Sequence, residues 1–183
     1  MMIMKKVCSL YLLFIFLSFV GFTYETLLAY IMKFEDLDRG FLSLPLCPIY
    51  GFGVLLTYLI FNTPDNLKFL KKRINVNKKI SLYLYFIFSA TLATLLELIV
   101  GYFFEKYFDI VLWSYNLKFD FNKYCSLIPS IIWGLAITIF MNNLFYKLYR
   151  FFYKIKKDNL ISISIVITIL IIIDLLHLIF LKQ

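Results

Sequence analysis

One stretch narrows the choice of folds more than any other. From Leu160 to Leu181 the chain reads LISISIVITILIIIDLLHLIFL, with Asp174 and His177 its only ionisable groups. A helix needs about 20 predominantly apolar residues to cross roughly 30 Å of hydrocarbon, and this run supplies them. Similar runs begin at Val7, Ile80 and Ser126, and a shorter one fills Leu46 to Phe61. Soluble domains are about 45–50% apolar and about 25% charged. Here 62% of the residues are hydrophobic and 16% charged, which leaves no material for a second, soluble domain. The expectation is an all-α fold, a single integral membrane domain over residues 1–183. Its five transmembrane helices are expected at about 7–32, 46–61, 80–104, 126–146 and 160–181. The first run follows Lys5 and Lys6, as a signal peptide would. Its apolar pattern continues past Gly21 to Met32 and meets no small-x-small cleavage site, so it reads as a retained helix.

The net charge of +8 raises nucleic acid as a partner, and the placement of the cations argues against it. Thirteen of the 19 Lys/Arg lie at the N-terminus, between residues 62 and 79, or between 147 and 158. Cytoplasmic loops carry the excess of Lys and Arg, so the N-terminus is expected in the cytoplasm and the C-terminus outside. The basic excess then records topology and contact with anionic headgroups rather than nucleic-acid binding. The segment from Glu105 to Tyr124, with Trp113, reads as an interfacial connection between spans.

The stretch from Arg39 to Gly53, RGFLSLPLCPIYGFG, breaks the regular pattern. Gly40, Pro45 and Pro48 interrupt it, and an aromatic–glycine pair, Tyr50-Gly51, follows. From Cys47 to Phe61 a helix would rise only about 22 Å, so irregular backbone must supply the remaining depth. Such backbone survives in a membrane where it is buried in protein or lines a cavity, and broken hydrophobic segments point to transporter sites. A tandem two-helix repeat is also legible. Glu25-Thr-Leu-Leu-Ala-Tyr30 parallels Glu97-Leu-Ile-Val-Gly-Tyr102, and Pro48-Ile-Tyr-Gly51 parallels Ile131-Ile-Trp133-Gly134.

Ionisable residues inside apolar runs carry whatever chemistry the chain has, because an exposed carboxylate at the bilayer centre costs about 2.5–3.5 kcal/mol. Glu25, Glu97 and Asp174 are those residues. Arg39 is the candidate partner of Glu25 and Glu97, forming one polar cluster open to the outer side. The cluster could bind substrate, or it could only fix helix packing. Asp174 and His177, three apart, share a helix face and read as a polar pair near the interface. Cys8, Cys47 and Cys125 form no CxxC and read as small buried hydrophobes; a Cys47–Cys125 pairing is open. A single histidine gives no metal site, and no GxSxG or GxxxxGK[ST] motif is present. The expectation is therefore no catalytic residue, no cofactor, and no ATPase activity in this chain.

The chain resembles the type IV ABC-transporter permease family (CmpB-like), small bacterial membrane proteins. The likeness rests on Gly21-Phe22-Thr23-Tyr24-Glu25, Asp38-Arg39-Gly40-Phe41-Leu42 and Pro45-Leu-Cys-Pro-Ile-Tyr-Gly51. It continues through Leu96-Glu97, Gly101, Glu105, Trp113-Ser-Tyr115, Asn122 and Trp133-Gly134. Phe22 stands where the family has Trp, Asp38 where it has Asn, Leu44 where it has Gly, and Ser114 where it has an acid. The resemblance implies a multi-pass protein of the bacterial cytoplasmic membrane, the permease subunit of a transporter whose ATPase is a separate chain. Five spans are few for a transport pathway, so such a protein would need a homodimer. The reading from another class is a membrane scaffold or assembly partner, or a membrane-embedded enzyme. A neighbouring ATPase gene separates the two.

Overall fold

Backbone N–H and C=O groups deprived of water must bond to one another, and the long apolar runs fold accordingly as helices. The computed structural model describes residues 2–31, 33, 41–116 and 119–181. Helix α1 spans Met2–Ile31, α2 Pro48–Phe61, α3 Lys78–Phe108, α4 Leu127–Asn143, α5 Phe145–Lys154 and α6 Lys157–Leu181. Three of them, α1, α3 and α6, are long and apolar enough to cross a membrane. A fourth span exists if α4 and α5, bent by 54° at their junction, count as one. With 14 residues, α2 rises about 21 Å and does not reach span length by itself. The fold is helical with three to four candidate spans where five were expected.

The boundaries moved for local reasons. Asn77 caps α3, its side chain accepting the Ile80 N–H at 2.9 Å, and Asp109 stops it in the left-handed region at φ 57°. α3 therefore outruns the expected 80–104. The expected fourth span is cut at Leu144, and part of what read as a basic loop is helix α5. Its sequence FYKLYRFFYK sets Lys147, Arg150 and Lys154 on one face and Phe145, Tyr149 and Phe152 on another, the pattern of an amphipathic helix. The other basic stretch is a small antiparallel sheet of β1 (Asn62–Thr63), β2 (Asn66–Phe69) and β3 (Lys72–Arg73). Leu70 and Lys71 join β2 to β3 with φ of 44° and 79°, the two positive values that a type I′ turn requires. A second hairpin, β4 (Asp120–Asn122) with β5 (Cys125–Ser126), lies within the expected interfacial connection and the residues after it.

The chain divides into two units. One takes the chain up to Phe52 and again from Lys147; the other is Gly53–Tyr146. In the first, α1 packs on α6. Cys8, Leu12 and Leu160 are buried together, and Tyr11, Phe152 and Ile155 close over them. The outer surface of α6 stays apolar: Ile165, Val166, Ile169, Leu170 and Ile173 are each half exposed or more. A bare hydrocarbon face of that length belongs in lipid.

In the second unit α3 packs on α4. Every fourth residue of α3 is buried in one stripe, Ser81, Tyr85, Ser89, Ala93, Glu97 and Gly101. The stripe is small or polar because two helices inside a membrane gain from close approach and from hydrogen bonds rather than from excluding water. Ser89 Oγ lies 3.1 Å from the Gly134 carbonyl and 3.2 Å from Thr138 Oγ1, and Thr94 Oγ1 donates to Ser130 Oγ at 2.6 Å.

The repeat legible in the sequence has a counterpart in packing within each unit. A methyl group at Gly51 would lie 2.7 Å from both the Phe14 carbonyl and Ser18 Oγ. One at Gly134 would lie 2.6 Å from the Ala90 Cβ and 3.0 Å from the Phe86 ring. Phe14 and Ser18 precede Glu25 by the same steps as Phe86 and Ala90 precede Glu97. The buried stripe of α3 likewise has its match in Ser9, Leu13, Leu17, Gly21 and Ala29 of α1.

Candidate functional site

In the first unit the site is built on the late part of α1 and the strap of residues 41–47. The strap is not helical, so its backbone groups need other partners. Cys47 N–H bonds to the Ser18 carbonyl at 2.9 Å, and Leu44 N–H reaches Asp174 Oδ2 of α6 at 3.3 Å. Leu42, Leu46 and Cys47 are buried, while Pro45 is exposed. Pro48 then opens α2, a position where its missing N–H has no helical partner to lose. Two residues on, the Tyr50 ring lies directly on Gly21, where any side chain would collide with it. Its hydroxyl donates to Glu25, one turn further along α1. Tyr24 flanks the pair, its ring centroid 6.3 Å from that of Tyr50.

The second unit repeats this arrangement in another register. Tyr124 lies on Gly101 of α3, where a methyl group would come within 2.9 Å of its ring. Its hydroxyl donates to Glu105, again one turn on, at 2.8 Å. Lys123 pairs with the same carboxylate, which holds the Lys123 ammonium above its ordinary pKa. Trp113 Nε1 donates to the Tyr124 carbonyl at 2.8 Å, and Asn122 Oδ1 accepts from the Tyr124 and Cys125 N–H groups. One turn before Gly101, buried Glu97 accepts from the Tyr115 hydroxyl at 3.0 Å. Burial pushes the neighbouring Cys125 thiol up, so it stays protonated. Trp133 stands half-buried on α4 beside Gly134.

The residues singled out from sequence thus sort into groups. Tyr50 meets Glu25 in the first unit, on the helix that Pro48 opens and whose Gly51 lies against Phe14 and Ser18. In the second, Glu97 and Glu105 accept from Tyr115 and Tyr124, and Trp113 bonds to the Tyr124 carbonyl. Arg39 and Gly40, the cation and the glycine of the expected cluster, lie outside the described residues. Glu25 and Glu97 belong to different units and are described each in its own. Asp174 and His177, expected as a polar pair near the interface, stand in different surroundings. Asp174 is buried and accepts the strap backbone, whereas His177 is exposed. The three cysteines are buried thiols, none of them in a disulfide. Sequence reasoning missed Tyr124 as a carboxylate partner altogether, and it had Tyr115 only through the family resemblance. A tyrosine that closes on its partner through a chain reversal has no local signature among 14 tyrosines.

A helical chain with apolar spans, a pinned irregular strap, and carboxylates seated under phenols within those spans defines a polytopic membrane protein. The chain belongs to the family described as "Putative ABC-transporter type IV", whose model matches residues 12–179. No curated protein and no solved structure matches it.

Proposed function

We propose that the protein is the permease-type membrane subunit of an ABC transporter, and that a separate chain supplies ATP hydrolysis. The observation that carries this reading is the placement of Glu25 and Glu97, two carboxylates within apolar spans, each accepting a tyrosine hydroxyl. Ionisable groups inside a membrane are costly, and those retained mark substrate or ion pathways by default. Membership of the family supports the transporter class. The proposed topology has five spans, with the N-terminus in the cytoplasm of a bacterial cell and the C-terminus outside. In it, α2 makes up its missing depth through the irregular strap before Pro48. Arg39 is the proposed counter-charge to these carboxylates, and a homodimer is the proposed working form.

The test is isolation of the intact protein from its native membrane, with identification of what co-purifies. An ATP-binding subunit in constant ratio is the expected result. A reproducible complex with membrane assembly factors and no ATPase would replace the reading with that of a scaffold.

A further inference from the structure

The beginning of α1 meets the half-buried side of α5 in the first unit. Lys5 Nζ sits 4.8 Å above the Tyr153 ring, and the Phe16 and Phe152 ring centroids are 6.1 Å apart. Phe152 also packs on the Cys8–Leu12–Leu160 core. Two basic stretches far apart in sequence are thereby joined on one surface. Lys147, Arg150 and Lys154 recur at helical spacing on α5 and are all exposed, as is Lys6. Among the described residues none of these cations has a carboxylate partner, and α5 itself contains no acid. Phe151 stands among them, 63% exposed.

A phenyl ring left bare between cations is poorly suited to water. It suits the boundary between headgroups and acyl chains, where a basic amphipathic helix buries aromatic rings and sets its cations against phosphates. We propose that Lys147, Arg150 and Lys154, flanking Phe151 on α5, form with Lys5 and Lys6 at the start of α1 a binding surface for anionic phospholipid. Charge selects the headgroup, since each cation at such a surface favours an anionic over a neutral lipid by roughly fivefold. Phe151 selects lipid over a soluble acidic protein. A soluble partner would leave the ring bare in water whenever it dissociated, and a leaflet does not dissociate.

The test uses the purified full chain in mixed micelles holding equal phosphatidylglycerol and phosphatidylcholine, with retained lipids counted by native mass spectrometry. The wild type is expected to retain phosphatidylglycerol over phosphatidylcholine by on the order of tenfold or more. Lys147→Gln/Arg150→Gln/Lys154→Gln should fall to near parity, while Lys147→Arg/Lys154→Arg keeps the preference. Lys68→Gln/Lys71→Gln/Lys72→Gln, in the other basic stretch, should also keep it. Excess inorganic phosphate should not compete. Unfolding midpoints in phosphatidylcholine alone show which variants are folded; if the triple change unfolds the protein, Arg150→Gln and Phe151→Ser are read singly. The proposal is overturned if the wild type shows no preference, if the triple variant keeps it, or if free phosphate removes it. It is equally overturned if the triple variant keeps its lipids and loses a soluble protein partner instead.

Discussion

Tyr50 over Gly21 and Tyr124 over Gly101 show how much a single missing side chain can position. Each phenol reaches its carboxylate only because the ring can lie against bare helix backbone. Gly21→Ala and Gly101→Ala are therefore expected to destabilise the protein by about 1–3 kcal/mol each, the usual cost of forcing a packed site apart. Gly53→Ala is the internal control. A methyl group there meets only Ile137 Cδ1 at 3.9 Å, so the change should be neutral or stabilise by about 0.5–1 kcal/mol. Thermal unfolding in detergent reads all three. A second contrast separates Asp174 from His177. Asp174→Ala leaves the Leu44 N–H without its acceptor and should cost about 1–3 kcal/mol, while His177→Ala, on an exposed position, should leave the unfolding midpoint unchanged. At this scale the carboxylates were legible in the sequence, because a charge in an apolar run stands out. The burial of Asp174 was not, because its partner is the backbone of a segment far away in the chain.

At the scale of elements, the apolar runs declared themselves and the basic stretches did not. Strands of two to four residues, such as β1, β2 and β3, are too short to show alternation, and six Lys/Arg between Lys68 and Lys79 read simply as loop. In α5 the helical period was present, with Lys147, Arg150 and Lys154 spaced along one face, but charge density outweighed it. The break before α5 has no proline or glycine; only the Asn142-Asn143 pair, whose side chains bond each other at 2.7 Å, weakens the helix there. The tight turn between β2 and β3 yields a prediction of its own. Lys71 holds a positive φ of 79° that costs a side-chain-bearing residue, so Lys71→Gly should stabilise the hairpin by about 0.5–1 kcal/mol. Hydrogen exchange at the Ile74 N–H, which bonds to the Leu67 carbonyl, would slow accordingly.

For the whole molecule, the question is what seated carboxylates do within a membrane subunit. The proposed topology is checked first. Single cysteines placed at Lys71 and Lys154 should not react with an impermeant maleimide in sealed cells, whereas one at Asp109 should; Cys8, Cys47 and Cys125, all buried, contribute little background. The family and the apolar helices were accessible from sequence, since they rest on composition and local motifs. The number of spans was not, since α2 is too short to decide the matter by length. The most direct measurement is ATP hydrolysis by the native complex in vesicles, comparing wild type with Glu25→Gln and Glu97→Gln. If these carboxylates serve transport, both variants should assemble with the ATP-binding chain, keep their unfolding midpoints within a few degrees, and hydrolyse ATP roughly tenfold or more slowly, about 1.4 kcal/mol of barrier. Unchanged hydrolysis in correctly assembled variants would contradict the account and leave the two glutamates as packing residues.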